Sequence, residues 1–210
     1  FTACYNLESG ETDNSVDAGL YQGAAIGDRV WQDRNANGQQ DAGENGIAGA
    51  TVRLYTCVNN APGVLVAQTT TDASGNYAFT NLSPGDYIVE FVTPNGFVQT
   101  TANVGANDGT DSDAGMGGLT GCYTLPSGTT NNTVDAGFYA PAAIGDRVWL
   151  DVNANGQQDA GEAGVAGVAV EPYTCVNNQP GVRVASTTTD ANGNYGFANL
   201  KPGDYLVKFI

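Results

Sequence analysis

Short alternations of apolar and polar residues, separated by turns rich in Gly, Asn, Asp and Pro, run along the chain and predict β-strands. In the run 87–91 (YIVEF), we expect Tyr87, Val89 and Phe91 to share the face that packs into the core. No stretch shows the helical period of about 3.6 residues, so the pattern predicts an all-β fold. The predicted strands of one unit cover 26–31, 51–57, 64–71, 77–80, 87–92, 97–101 and 133–139.

The same pattern occurs twice at a fixed distance. The segment 26–31 (IGDRVW) returns as 144–149, an offset of 144 − 26 = 118 residues, and 64 of the 92 positions compared between 1–92 and 119–210 are identical. Solenoid repeats are shorter, about 20–50 residues, whereas an ordinary domain of about 100–150 residues can bury a core of its own. The sequence therefore predicts an array of like domains.

Domain boundaries are expected at 22–23 and 140–141, just before each AAIGD segment. This divides the chain into the C-terminal tail of a preceding repeat (1–22), a complete domain (23–140) and the N-terminal part of a following repeat (141–210). We expect a window on a longer array; alternatively, residues 1–22 of one molecule complete the unfinished domain of a neighbour by strand addition. The short linkers lack Gly/Ser tracts, which predicts a nearly fixed angle between neighbouring domains.

Seven short strands per unit predict a sandwich of two β-sheets. One substitution between the copies bears on strand order, because Leu54 is replaced by Pro172. Proline cannot donate a ladder hydrogen bond and is confined to edges and bulges, so we expect this strand to be an edge at that point.

Composition narrows the possible functions. The net charge is −15, from 22 acidic and only 7 basic residues, which argues against a nucleic-acid partner because phosphates require Lys and Arg. No apolar run approaches the roughly 20 residues needed to span a membrane. The acidic residues cluster in particular loops, which favours cation binding over general solubility, and the many turns and short strands suggest a secreted protein.

One acidic loop has the spacing of a calcium ligand set. Residues 33–44 fit D-x-[DN]-x-[DN]-G-x5-E at every defined place, with glycine at Gly38 for the sharp turn, and the motif recurs at 151–162. Calcium takes six to eight oxygen ligands, and alternate positions of a tightly wound loop present theirs inward. Gln39 and Gln157 would contribute their carbonyls, and Asp41 would act directly or through water. Strands flank the loop, so this is an EF-hand-like loop without helices, and the predicted ligands are Asp33, Asn35, Asn37, Gln39, Asp41 and Glu44, with Asp151, Asn153, Asn155, Gln157, Asp159 and Glu162 in the copy.

A second acidic loop, 107–113, carries Asp108, Asp111 and Asp113. Three carboxylates so close together repel one another unless water screens them or a cation bridges them. We predict a further calcium site here, completed by one or more of Asp28, Asp72 and Asp135. Magnesium is disfavoured because it usually retains several waters. A solvated acidic loop is the alternative.

Each unit contributes one cysteine at the Cys57 position and one at the Cys122 position. An even, regular count in a secreted chain implies disulfides, and we predict the pair Cys57–Cys122 within the complete domain. Cys4 and Cys175 would then have partners in the array beyond this window, or pair with cysteines of adjacent molecules. A zinc site is disfavoured, because the sequence has four Cys and no His, and an isopeptide cross-link is excluded because 23–140 contains no Lys.

Several motifs together resemble one known family. They are GDRVWQD at 27–33 with its NxNGxQD continuation, GATVRL at 49–54, TDASGNYAF at 71–79, LxPGxYxVxF at 82–91 and DSD at 111–113. The chain resembles the SdrD B-like domain, a relative of Cna-B-like modules. The resemblance implies tandem Ig-like or prealbumin-like β-sandwiches that form calcium-stiffened stalks of bacterial surface adhesins, with loop 33–44 and the 108–113 region as calcium loops. The regular cysteine pairs depart from that family and suggest covalent stiffening as well.

We therefore expect a structural, calcium-rigidified extracellular array on a bacterial cell surface, forming a stalk or filament. Its partners would be neighbouring repeats and, in a filament, identical chains end to end. An adhesive module that binds a host or matrix protein or a glycan is the alternative. An enzyme is disfavoured, since the absence of His removes Ser–His and Cys–His pairs, and the carboxylates sit at ligand spacing with no cleft implied between them.

Overall fold

The computed structural model describes residues 2–210. Within that range the chain is all-β, apart from one 3₁₀ turn at Met116–Gly118. The strands are β1 Ala24–Gln32, β2 Thr51–Val58, β3 Ala61–Thr70, β4 Asn76–Leu82, β5 Gly85–Phe91, β6 Val98–Gln99, β7 Tyr123–Leu125, β8 Thr130–Asn131, β9 Ala136–Tyr139, β10 Ala142–Arg147, β11 Ala169–Val176, β12 Gln179–Arg183, β13 Thr187–Thr188, β14 Asn194–Leu200 and β15 Tyr205–Phe209.

The first unit is a sandwich of two sheets. One sheet has the order β4-β1-β9-β6, with β8 also paired to β1, and the other has the order β3-β2-β5-β7. Alternate residues of each strand point between the sheets and form one apolar cluster. As expected, Tyr87, Val89 and Phe91 belong to it. The largest other members are Ile26, Val30, Val52, Leu54, Tyr77, Phe79, Leu82, Leu125, Val134 and Phe138.

The first and last strands of this unit run parallel. Val30 pairs with Ala136 and Gln32 with Phe138, so β1 and β9 end at the same end of the sandwich. Gly137 permits this approach, because a Cβ there would lie 2.8 Å from the Trp31 ring. The loop that follows Gln32 and the linker that follows Tyr139 therefore leave the domain side by side.

Residues 141–210 repeat the pairings of the first unit. Ala142 pairs with Leu200 as Ala24 does with Leu82, and β11 lies between β12–β13 and β15 as β2 lies between β3 and β5. Its smaller cluster centres on Val170, Phe197 and Leu200. The chain thus contains one two-sheet sandwich and a second set of strands that repeats part of its pairings.

Most predicted strands are present, with three differences. The strand expected at 97–101 is reduced to β6, and β7 and β8 were not predicted because each is only two or three residues long. The expected edge at Pro172 is wrong, since β11 is paired on both sides. The proline is tolerated because the strand opposite is interrupted there: β12 ends at Arg183 and β13 begins at Thr187, which leaves a bulge.

The predicted disulfide is confirmed. Cys57 near the end of β2 is bonded to Cys122 just before β7, with the two Cα atoms 5.9 Å apart. The disulfide therefore links the two strands that lie on either side of β5 in one sheet. Within residues 2–210, Cys4 and Cys175 form no disulfide. Within the same residues, no helix is both long and apolar enough to span a membrane.

Candidate metal centre

Loop 33–44 starts where β1 ends and is fixed at its first residue. The Asp33 amide donates to the carbonyl of Phe138 in β9 at 2.9 Å. The Asp33 carboxylate is completely buried and accepts hydrogen bonds from the amide of Gly38 at 2.7 Å and the hydroxyl of Thr100 at 2.6 Å. The loop is wound tightly around this carboxylate, and Gly38, at φ 85°, makes the sharp turn that the motif requires.

Other predicted ligands of this loop contact one another or the backbone of the loop. The side-chain amides of Asn35 and Asn37 both donate to Oδ2 of Asp41 at 2.8 Å. Glu44 is buried and closes the loop, since its carboxylate accepts the amides of Arg34 at 2.7 Å and Asp41 at 3.0 Å. Asn35, Asn37 and Asp41 thus contact one another through their side chains, whereas the carboxylates of Asp33 and Glu44 are held by backbone amides of the same loop.

The second copy has the same arrangement. Asn153 and Asn155 donate to Asp159 at 2.8 and 2.9 Å, and Glu162 accepts the amides of Val152 and Asp159 at 2.9 and 3.0 Å. Asp151 accepts the amide of Gly156 at 2.8 Å, while the amide of Gln157 donates to Asn155. Asp151 is only half-buried, because nothing in the described residues takes the place of Thr100.

Gln39 ties this loop to the second acidic loop. It forms a β-bridge with Asp111, and the neighbouring amide of Gln40 donates to the carbonyl of Thr110 at 2.7 Å. The Gln39 side chain donates to the carbonyl of Val104 at 2.9 Å. The two acidic loops, distant in sequence, are therefore one structural unit at the end of the sandwich where β1 and β9 finish.

The carboxylates of Asp108, Asp111 and Asp113 lie together, with one oxygen of each within 4.8 Å of the others. Asp108 is exposed, whereas the other two are buried. The Tyr123 hydroxyl donates to Asp113 and the Thr133 hydroxyl to Asp108, both at 2.9 Å. Neither Tyr123 nor Thr133 was predicted as part of the site, and no spacing signal marks them.

Asp135 lies near these carboxylates and is buried more deeply than Asp111 or Asp113. It is completely buried, and neither carboxylate oxygen has a hydrogen-bond partner within residues 2–210. Burial, followed by the charges of Asp113 and Asp28, raises the pKa of Asp135 to about 9. Burial likewise raises the pKa of Asp113 to about 6 and raises the pKa of Asp28 and of Asp111.

Of the three residues expected to complete this site, the structure brings Asp28 and Asp135 to the cluster. Asp72 does not join it: its carboxylate is exposed and accepts the amides of Ser74 and Asn76, both at 2.8 Å, within its own turn. Those two hydrogen bonds lower the pKa of Asp72, as expected for a carboxylate that caps a turn.

The residues present fit calcium. Both groups offer only oxygen donors, the ligand type of hard cations. A buried carboxylate without a donor or a counter-ion is costly, and a cation among Asp28, Asp113 and Asp135 would neutralise it. A divalent ion would give the unpartnered oxygens of Asp135 a ligand interaction and would offset part of the negative charge of the cluster.

Comparison of the sequence with known proteins identifies one family. A sequence model of the SdrD B-like domain matches residues 24–138 and 142–210. Serine-aspartate repeat-containing protein C of Staphylococcus aureus (strain Newman) is 44% identical over 186 residues, which cover 88% of this chain and 18% of that protein. The chain thus spans less than a fifth of this relative's length.

Solved structures with a similar course of the chain are more distant in sequence. The Bacillus anthracis TIE protein is 17% identical, with 90% of this chain and 28% of that chain covered and a TM-score of 0.41. A streptococcal ancillary pilin is 13% identical, with 95% and 55% covered and a TM-score of 0.41.

Proposed function

This chain belongs to the family of SdrD B-like domains, and from that we propose that it is a structural segment of an extracellular repeat array stiffened by calcium. The array would stand on a bacterial cell surface as a stalk or assemble into a filament. Its partners would be neighbouring repeats of the same array and, in a filament, identical chains end to end. We propose no catalytic role, and the acidic residues act as metal ligands.

The observation that carries this proposal is the bridge between Gln39 and Asp111. It joins two loops that each carry three carboxylates, at the end of the domain from which the linker to the next unit departs. Holding two acidic loops together costs free energy through the repulsion of their like charges, and bound cations would offset that cost.

Calcium would act through the stability of the folded loops. Asp33, Asp41 and Glu44 would hold one ion, with the side-chain oxygens of Asn35 and Asn37 and the carbonyl of Gln39. Asp108, Asp111, Asp113, Asp28 and Asp135 would supply the ligands of a further site. Only the folded chain presents these sets, so an ion at about 100 times its Kd adds roughly 2.7 kcal/mol per site to the free energy of unfolding.

A calorimetric titration with calcium tests the proposal, using the whole chain after treatment with a chelator. We expect binding at loop 33–44, at loop 151–162 and at the cluster around Asp113. Glu44→Gln should remove one binding event and leave the others, and Glu162→Gln is the matched variant in the second copy. No heat of binding at millimolar calcium would contradict the proposal.

An adhesive role is the second candidate, and one observation favours it. The hairpin of β2 and β3 exposes Val58 (55%), Val64 (73%) and Leu65 (50%), an apolar surface of the kind that marks binding sites. Leu65→Arg introduces the residue that the second copy carries at the same place, Arg183. If the hairpin is adhesive, this variant should lose retention on immobilised matrix proteins or glycans; retention equal to that of the parent chain would contradict this role.

A further inference from the structure

The metal loop of the first unit lies at the junction with the second unit. Because β1 and β9 are parallel, loop 33–44 and the linker after Tyr139 leave the same end of the sandwich. Only Ala140 and Pro141 separate β9 from β10. The second unit therefore starts directly beside the apex of the loop, formed by Asn35 and Ala36.

Ala36 differs in burial from its counterpart in the second copy. The two loops are identical from Asn35 to Glu44 and from Asn153 to Glu162, and Ala36 and Ala154 share a left-handed backbone, at φ 55° and 56°. Ala36 is only 2% exposed, whereas Ala154 is exposed. The difference arises from the surroundings of the loop, not from its conformation.

The second unit supplies those surroundings. Asn35 and Ala36 line a cleft of about 470 Å³ together with the β14–β15 turn of the next unit, including Lys201, Pro202 and Asp204. Pro202 is half-buried, while its counterpart Pro84 in the first unit is exposed. Burial thus increases on both sides of the cleft where the two units meet.

The corresponding turn of the first unit also faces the repeat before it. Tyr21, in the tail of the preceding repeat, forms a hydrogen bond of 2.9 Å with the hydroxyl of Ser83, and Ser83 is the counterpart of Lys201. The amide of Gln22 donates to the hydroxyl of Ser127 at 2.9 Å. At both junctions, then, the β-turn between the fourth and fifth strands of a unit receives the chain of the preceding repeat.

We propose that the loop apex at Asn35 and Ala36 is the docking surface for the Lys201–Asp204 turn of the following unit, so that the metal loop also fixes the angle between consecutive units. Asn35 belongs both to the predicted ligand set and to the cleft. Calcium bound at that loop would therefore hold the Asn35 side of the cleft in place. This part of the proposal rests on the calcium role proposed above. Lys201, in place of Ser83, adds a cation beside a loop that contains Asp33, Asp41 and Glu44.

The test measures the distribution of distances between the two units in the whole chain. Spin-labelled non-natural amino acids at the exposed positions Thr80 and Thr188 leave the cysteines untouched. Ala36→Lys is compared with Ala154→Lys, which places the same side chain on the same backbone in the copy that lies outside the cleft. Neither position is a ligand of the motif, so calorimetry should give the parent's calcium stoichiometry for both.

We expect Ala36→Lys to broaden the distance distribution at least twofold and Ala154→Lys to leave it unchanged. The proposed docking surface is contradicted if folded Ala36→Lys gives a distribution as narrow as that of the parent. It is also contradicted if Ala154→Lys broadens the distribution equally. If Ala36→Lys does not fold, Lys201→Glu decides instead: this exposed residue should give the same broadening, and an unchanged width would overturn the proposal.

The two proposals fail in different ways. The distance distribution is measured in chelator as well as in calcium, because the cleft is formed by side chains of the two units. If the parent chain binds no calcium, the proposed calcium role and its effect on the angle between the units are both contradicted. The comparison of Ala36→Lys with the parent in chelator then still decides whether the loop apex is the docking surface.

Discussion

Asp113 and Asp135 are joined by two hydrogen bonds, although both are acidic. The Asp135 amide donates to the Asp113 carboxylate at 2.8 Å, and the Asp113 amide donates to the Asp135 carbonyl at 2.9 Å. The backbone thereby fixes two carboxyl groups side by side in a buried place. Two buried carboxylates side by side are unfavourable when both are ionised and no cation is bound, so under the proposed calcium role the cluster should make the stability of the domain depend on calcium.

Asp135→Asn should have opposite effects in chelator and in calcium. The neutral amide removes a buried acidic group, so in chelator we expect the free energy of unfolding to rise by on the order of 1–2 kcal/mol. In calcium the same variant loses a ligand, and it should fall below the parent. Chemical denaturation under both conditions checks this. Asp17→Asn alters the exposed counterpart in the tail and serves as the control, with no effect expected; an equal effect of both variants would contradict the role of Asp135.

The calcium-free protein should lose stability as the pH rises. The folded-state pKa of Asp113 is about 6 and that of Asp135 about 9, both above the unfolded value of about 3.9. Between about pH 4 and 9 the folded chain therefore holds protons that the unfolded chain has released, and the free energy of unfolding decreases with pH.

The slope for one such proton is about 1.4 kcal/mol per pH unit. Melting curves in chelator at pH 5, 6, 7 and 8 should give a midpoint that decreases steadily, and saturating calcium should flatten this trend because the carboxylates are then ionised in both states. A midpoint in chelator that increases over this range is the contrary result.

The disulfide between Cys57 and Cys122 should be a major contributor to stability. It closes a loop with a sequence separation of 65 residues, for which the chain-entropy model gives about 4 kcal/mol. We expect the double variant Cys57→Ser/Cys122→Ser to lose an amount of this order in urea unfolding. Cys175→Ser is the matched control, since Cys175 forms no disulfide within residues 2–210. A loss below about 1 kcal/mol for the double variant would contradict this account.

The two copies reverse one cross-strand charge pair. Arg53 faces Glu90 with a nitrogen–oxygen distance of 3.1 Å, and in the second unit Glu171 lies opposite Lys208 in the same register. Arg53→Glu alone places like charges opposite each other and should cost up to about 1 kcal/mol. Arg53→Glu/Glu90→Lys should recover most of that loss, as a double-mutant cycle would show. Additive losses would mean that the pair does not interact.

The strands, the loop motif and the disulfide could be predicted because each leaves a local or regularly spaced signal. Two-residue periodicity marks β2 and β5, and the repeat of Cys57 and Cys122 at one offset marks the pair. The alternation does not predict the burial of Ile88 in β5. It assigns Ile88 to the outer face, yet this side chain is only 2% exposed. Because β5 lies inside its sheet, between β2 and β7, side chains of both strands flank Ile88 on that face.

The relation between the two acidic loops could not be predicted in the same way. The Gln39–Asp111 bridge is a long-range pairing of irregular segments, and neither loop has a pattern that sets the register. Asp72 and Asp135 looked equivalent in sequence. Only the fold separates them, because Asp72 satisfies its carboxylate within its own turn while Asp135 is enclosed by the sandwich.

Thermal unfolding of the whole chain, with 1 mM calcium and with excess chelator at the same pH and ionic strength, tests the central claim most directly. Ions at about 100 times their Kd add roughly 2.7 kcal/mol per site, and about 1 kcal/mol moves the midpoint by several degrees in a domain of this size. The account predicts a midpoint at least about 10 °C higher in calcium than in chelator. Coincident curves would contradict it.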